Sequence, residues 1–314
     1  MLTIYRSTDD GLQVIPIDSS LLEGTWIRAV NLSAEEIVQL SLTAKVPEKF
    51  FRFAFEEDSC PRIILGDRCI LIIINVPIAR NSDQYDTIPF SIILTPELTI
   101  TVSQELTKII PENGGTEFDT RKRSQFFFQI LYQAGTIFLR NIQRIRLRTD
   151  EIEVFLRKST NNQEVFKLLN LEKALTYFTA ALRANIMVLE SILRLRSNPQ
   201  LRHLLPMREE DEDIVENVII ENKRALQLVQ TYSDILSSMM DAFSSVISNN
   251  LNYIMKFLAA VTILLSIPTM ISSFWSMSLI VPMQGTEVGF WTVVLVSIVT
   301  SSLAGVVLRK KGML

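Results

Sequence analysis

The stretch Phe257–Trp275 reads FLAAVTILLSIPTMISSFW, and its reading decides the fold. No charged side chain occurs from Phe257 to Thr286. A second apolar run, Gly289–Leu308, reads GFWTVVLVSIVTSSLAGVVL. Each run is close to the ~20 residues that a helix needs to cross a hydrocarbon core about 30 Å thick. Two such runs in series are hard to bury as core helices of a soluble protein. We therefore expect transmembrane helices over 257–278 and 289–308, joined by an extracytoplasmic loop over 279–288. Ser276–Val288 has no Lys or Arg, and Glu287 is its one acid. Lys256 precedes the first run, and Arg309, Lys310 and Lys311 follow the second. Positive flanks mark the cytoplasmic side. The expected topology has both termini cytoplasmic, with 309–314 as a basic cytosolic tail. The opening residues MLTIYRSTDD contain no apolar signal-peptide core, so the long N-terminal part should stay in the cytosol.

The first run is not uniformly apolar. Thr262, Ser266, Thr269 and Ser273 are spaced four, three and four apart, which sets their hydroxyls on one helical face. Extended backward, the same face reaches Met255, Asn252, Ser248, Ser245 and Asp241. A polar stripe of this length reads as the lining of a water-filled path. The alternative is that each hydroxyl bonds a carbonyl of its own helix. Two membrane helices cannot enclose a pore, so identical chains around a cyclic axis must supply the rest.

The 314 residues leave room for one or two soluble domains before these spans. The formal net charge is −3, which does not favour a nucleic-acid partner. Cys60 and Cys69 flank a strand-like segment without metal-site company and should stay reduced. His203 is the single histidine, so a histidine metal site or a catalytic triad has almost nothing to work with. With no glycine-rich phosphate loop either, an enzyme is not expected.

Residues 1–115 read as an α+β cytosolic domain. Its β-rich runs are Leu12–Ile17, Trp26–Val30, Ile63–Leu65, Ile70–Val76, Phe90–Leu94 and Leu98–Val102. Ser33-Ala34-Glu35-Glu36 is a capping box before one helix, and Pro47 opens another. Ile70–Val76 is apolar on both faces and is expected to be a central strand. Asn81–Asp86 (NSDQYD) is a polar turn carrying two acids. Residues 116–205 read as a helical hairpin with a turn at Ser159–Asn162. Its basic residues, Arg121–Arg123 and Arg140–Arg148, are read as solvating a helix face, with anionic lipid headgroups as the alternative. After Pro206 no Gly or Pro occurs until Pro268. About sixty residues of helix would span ~90 Å, too long for an ordinary globular helix. Residues 206–256 thus read as a stalk running into the first membrane helix. The acids of its opening REEDEDIVEN are favoured by the helix dipole. They are also a weak candidate site for hard divalent cations.

The segment Tyr232–Ser278, YSDILSSMMDAFSSVISNNLNYIMKFLAAVTILLSIPTMISSFWSMS, resembles the CorA family of magnesium and cobalt channels. The SN-x-x-N-x-x-M-K join at Ser248–Lys256 and the proline-containing first membrane helix carry the likeness. The order α/β domain, helical hairpin, stalk and two membrane helices agrees along the chain. The resemblance implies a funnel-shaped homopentamer in the plasma membrane, with stalk and first membrane helix around the axis. It implies passive passage of Mg²⁺ or Co²⁺, gated by a cytosolic divalent ion, with the lipid bilayer as the other partner. On this likeness Asp241 attracts cations and Asn252 meets the hydrated ion. Met255 and Leu258 form an apolar constriction that gates by dewetting, and Thr262, Ser266, Thr269 and Ser273 line the way outward.

The sequence departs from the family pattern in two places. The family's aromatic-Gly-Met-Asn signature is here Trp275-Ser276-Met277-Ser278, so the mouth keeps only Met277. Serine at 278 reaches less far than asparagine, and serine at 276 lacks the tolerance of glycine for positive φ. The stalk carries Asn217 where relatives have an Asp that faces an acid of the neighbouring domain. Asp213 and Glu216 flank it, and Asp83 and Asp86 are the candidates on the domain side. Fewer charges imply weaker divalent binding. The alternative functions are a non-conducting regulatory paralogue and a transporter of another divalent ion such as Zn²⁺.

Overall fold

The computed structural model describes residues 1–8, 11–16, 23–55, 60–107, 109–110, 118–158, 162–195, 204–205, 209–277, 283 and 286–313. The strands are β1 (Leu2–Thr8), β2 (Gly11–Ile15), β3 (Thr25–Val30), β4 (Arg62–Leu65), β5 (Ile70–Ala79), β6 (Tyr85–Leu94) and β7 (Leu98–Ser103). The helices are α1 (Ala34–Ala44), α2 (Glu48–Phe55), α3 (Arg123–Lys158), α4 (Asn162–Leu195), α5 (Glu209–Trp275) and α6 (Glu287–Lys310). Met1–Ser238 and Met239–Leu314 form two compact units, and α5 contributes to both.

In the first unit the seven strands form one sheet in the order β2-β1-β3-β7-β6-β5-β4. Only β3 and β7 run parallel. Alternation along the strands divides the core between two faces. Even-numbered residues of β5 and β6, such as Ile72, Ile74, Phe90 and Ile92, pack with Phe126–Phe128 of α3, Val188–Ile192 of α4 and Val215–Ile219 of α5. Odd-numbered Leu71, Ile73 and Ile93 pack with Phe50 and Phe51 of α2 and Leu40 of α1. Trp26 is fully buried and meets the need of a buried indole for a partner by donating its Nε1–H to Thr101 Oγ1 at 2.9 Å.

The capping box at Ser33 forms as read: the Glu36 amide donates to Ser33 Oγ, and the Ser33 amide donates to the Glu36 carboxylate. Strand β5 is apolar on both faces, yet it lies next to the edge strand β4 rather than at the centre of the sheet. The strand at Leu2–Thr8 was not anticipated. Its polar Thr3, Arg6, Ser7 and Thr8 dilute the apolar signal, although Ile4 and Tyr5 are buried.

Two prolines sit within the β5–β6 hairpin without breaking it. Asn75 pairs with Pro89 across the ladder, and its amide donates to the Asn185 side chain of α4 rather than to β6. The pair is therefore of the non-hydrogen-bonded kind. The missing N–H of Pro89 then points away from β5, one residue beyond the point where β7 begins to pair at Phe90. Pro77 has the same parity as Asn75 and points to the other edge, past the last β4 partner, Ile73. Both prolines occupy positions where no ladder bond is lost.

Arg121, Lys122, Arg140, Arg144 and Arg146 are exposed, as a solvated helix face requires, and Arg123 departs from that reading. Arg123 is half-buried and donates to the carbonyls of Pro96, Thr95 and Leu204. Arg121 pairs with Asp119. Both cysteines are free, Cys60 exposed and Cys69 buried, and burial pushes the Cys69 thiol pKa upward. The turn expected at Ser159–Asn162 lies, at 159–161, outside the described residues, as do His203, Pro199 and Pro206.

In the second unit the C-terminal part of α5 packs antiparallel against α6. Leu264 Cδ2 lies 3.6 Å from where a Cβ would stand on Gly305. Leu264, Pro268 and Ser272 share a crevice with Val293, Ser297 and Ser301 of α6. Ser297, Ser301 and Gly305 are spaced four apart, and small residues at that spacing let two helices approach closely. Both helices are long and apolar enough to cross a membrane.

Candidate functional site

The polar stripe lies on α5. At about 100° per residue, Thr262, Ser266, Thr269 and Ser273 fall in one narrow sector. Asp241, Ser245, Ser248, Asn252, Met255 and Leu258 continue that sector, and all ten side chains are exposed in the single chain. The less exposed residues of the same segment are Ala260, Val261, Leu264, Ile267, Pro268, Ile271 and Trp275, on the opposite side. Leu264, Pro268 and Trp275 of that side face α6. Packing against α6 thus turns the stripe away from the second helix.

Four hydroxyls of the stripe spend their protons on their own helix. Ser245 donates to the Asp241 carbonyl at 3.1 Å, Thr262 to Leu258 at 2.8 Å, Ser266 to Thr262 at 2.7 Å and Thr269 to Leu265 at 3.0 Å. This is the backbone bonding considered above as the alternative to a pore, but it does not exclude one. Each oxygen keeps acceptor capacity after its proton is committed. A face of hydroxyls with the donors turned inward offers acceptors to whatever lies outside, which suits a cation or its water shell.

Below the hydroxyls the face becomes apolar. Met255 and Leu258 are each 58% exposed, and Leu251, Tyr253, Ile254 and Phe257 around them are exposed as well. So large a contiguous apolar surface marks a contact with protein or lipid.

At the C-terminal end of α5, the Ser276 amide donates to the Ser272 carbonyl at 3.0 Å and the Met277 amide to Phe274 at 3.4 Å. Ser276 is not among the residues with positive φ, so serine meets no backbone strain there. Among the described residues of the link, the left-handed one is Met283, with φ 65°. Its carbonyl lies where a Cβ on Gly289 would come within 2.3 Å, so glycine is needed for the link to fold onto the start of α6. Thr286 caps that helix by accepting from the Gly289 amide. Ser278 lies outside the described residues.

The candidate regulatory residues are not drawn together. Asp83 is bound by Arg148 of α3, whose Nε donates to Oδ1 at 2.5 Å and whose second nitrogen reaches Oδ2 at 3.3 Å. Arg148 also pairs with Glu151 at 2.8 Å. The hydrogen bond from Arg148 holds the Asp83 carboxyl below the usual carboxylate range. Asp86 accepts from the Thr87 amide. Asp213, Glu216 and Asn217 are exposed on one face of α5. Among the described residues of one chain, no group of three or more His, Cys, Asp or Glu converges as a metal site. Arg148 and Asn185 carry no sequence signal for their roles, because each partner lies 65 or more positions away.

The sequence matches the family described as CorA-like Mg²⁺ transporter protein over residues 23–310. It is 24% identical to the cobalt/magnesium transport protein CorA of Methanocaldococcus jannaschii over 324 residues, covering 99% of each chain. The complete structure of the CorA magnesium transporter from that organism superposes with a TM-score of 0.80 at 22% identity, covering 100% of this chain and 99% of the other. The full-length CmaX structure superposes with a TM-score of 0.70 at 16% identity, covering 98% and 96%.

Proposed function

The chain belongs to the CorA-like Mg²⁺ transporter family, and from that premise we propose that it is a passive membrane channel for divalent cations, Mg²⁺ and Co²⁺ among them. The observation that carries the channel reading is the α5 stripe. Its side chains are exposed, the hydroxyl protons of Thr262, Ser266 and Thr269 are bonded to its own backbone, and it faces away from α6.

Five copies around an axis would close the stripes into a pore. The exposed apolar belt from Leu251 to Leu258 supports such an assembly, since copies packed side by side would bury it. Mg²⁺ gives up its water reluctantly. Rings of hydroxyl acceptors at Thr262, Ser266, Thr269 and Ser273 suit a hydrated ion, because water bound to a dication presents its protons outward. Asn252 adds amide oxygens, and Asp241 adds negative charge at the inner end. Met255 and Leu258 would form a ring that blocks conduction by dewetting. The flanking Lys256 and Arg309–Lys311 support cytoplasmic termini and placement in the cell membrane.

For control by a cytosolic divalent ion, Asp83 is a poor ligand, since a guanidinium already occupies it. Asp213 and Glu216, beside Asn217, are the carboxylates such an ion would meet on α5, with Asp86 on the domain side.

Mg²⁺ uptake by proteoliposomes tests the reading. Native protein should give flux above empty liposomes, and Asp241→Ala should lower it. Flux equal to empty controls would end the channel reading. Competition of Co²⁺ and Zn²⁺ with Mg²⁺ in the same assay ranks the ions.

A further inference from the structure

In a membrane-spanning segment no water stands ready to satisfy a stray polar group. Pro268 lies inside α5, and proline has no N–H to give the carbonyl four residues earlier. The Leu264 carbonyl therefore lacks its helical donor. Leu264 and Pro268 line a crevice of about 480 Å³ between α5 and α6. Ser297 and Ser301 of α6 line the same crevice, one turn apart. The Ser297 side chain is only 7% exposed, and the hydroxyls of both serines are buried without a hydrogen-bond partner. One crevice is thus lined by the residue whose carbonyl has lost its helical donor and by two serines whose hydroxyls have no acceptor.

We propose that Ser297 and Ser301 are positioning residues for α5: their hydroxyls are the donors for the Leu264 carbonyl that Pro268 leaves open. A change of serine rotamer with a small approach of the two helices closes the bond. Gly305, one turn further along α6, already allows that approach, with Leu264 against it. The bond would hold α5 at its proline and so fix the angle at which Thr262, Ser266, Thr269 and Ser273 are presented on the other side. Four nearby hydroxyls in the segment are already committed elsewhere. Thr262, Ser266 and Thr269 bond Leu258, Thr262 and Leu265, and Thr300 of α6 bonds Val296 and Ser297. The proposal rests on the channel reading only for its consequence in flux; the bond itself is independent of it.

The test is a thermal melt of the full chain in lipid nanodiscs, comparing native protein, Ser297→Ala/Ser301→Ala, Pro268→Ala and the triple variant. If the hydroxyls serve the carbonyl, the double serine variant melts lower by a few degrees. In the Pro268→Ala background, where the backbone N–H is restored, the same serine changes should cost much less. Hydroxyls that never find an acceptor are better removed, so a neutral or raised melting point for the double serine variant overturns the proposal. Equal losses in both backgrounds also overturn it. Should Pro268→Ala fail to fold, the sign of the serine effect in the native background still decides. Mg²⁺ flux is the second readout: the serine changes should alter flux in the native background and leave the Pro268→Ala variant unchanged. If native protein shows no flux while the melts show the coupling, the bond stands and only the channel reading falls.

Discussion

Replacing Asn185 tests the account of the sheet where it is most specific. Asn185 of α4 is 3% exposed. Its Oδ1 accepts from the Asn75 amide at 2.9 Å, and its Nδ2 donates to the Asn75 carbonyl at 2.8 Å. The side chain thus stands in for a strand just where β4 no longer runs beside β5. In Asn185→Leu both bonds are lost while the branched four-atom shape of the side chain is kept. A buried backbone group left without a partner costs about 1–3 kcal/mol. Asn75 is half-buried, so water can recover part of this, and we expect a total loss of about 2–4 kcal/mol. At roughly 2–4 °C per kcal/mol for a unit of this size, the melting point should fall by about 5–15 °C. The assay is thermal unfolding of the full chain, followed by tryptophan fluorescence, which includes the core residue Trp26. If Asn185→Leu melts within about 1 °C of native, the strand-surrogate role is wrong.

The remaining predictions concern the clasp, the gate and the link. Arg148→Gln should cost about 1 kcal/mol, a value kept small because the pair is partly exposed. Since the folded Asp83 carboxyl titrates below its ordinary range, this stabilisation is fully present above about pH 4 and is lost as pH falls through the depressed value. Denaturant titrations at pH 7 and below pH 3 should show the two proteins differing at the first and converging at the second; an equal gap at both would refute the ion pair as the cause. Met255→Ala should raise basal ion leak in proteoliposomes by opening the apolar ring, and unchanged leak would remove Met255 from the gate. Gly289→Ala places a Cβ against the Met283 carbonyl and should cost about 1–3 kcal/mol, read as a lowered melting point; a native melt would show that the link can move aside.

Local physics was legible in the sequence. The two membrane spans follow from unbroken apolar runs, the α1 cap from Ser33 and Glu36, and the stripe from hydroxyls at helical spacing. Five of the six anticipated strand runs fall within strands, and Leu12–Ile17 overlaps β2, which ends at Ile15. What was not legible depends on residues far apart in the chain. Nothing near Asp83 shows that Arg148 engages it, so a residue read as a possible metal ligand proves to be one half of an ion pair. Arg123 reads as one of a basic group, and only the folded chain brings the Pro96, Thr95 and Leu204 carbonyls to it. The concern over serine at 276 came from assuming the glycine turn of the relatives. Here the Ser276 amide still bonds the last turn of α5, and the left-handed residue among those described in the link is Met283.

The most direct test of the central claim is Mg²⁺ influx into proteoliposomes for native protein beside Ser276→Gly/Ser278→Asn. The account predicts that the native chain conducts, because its hydroxyl stripe already offers acceptors to a hydrated ion and Ser276 sits without strain. Influx through the restored variant alone would contradict it, and would make this chain a non-conducting, regulatory member of its family.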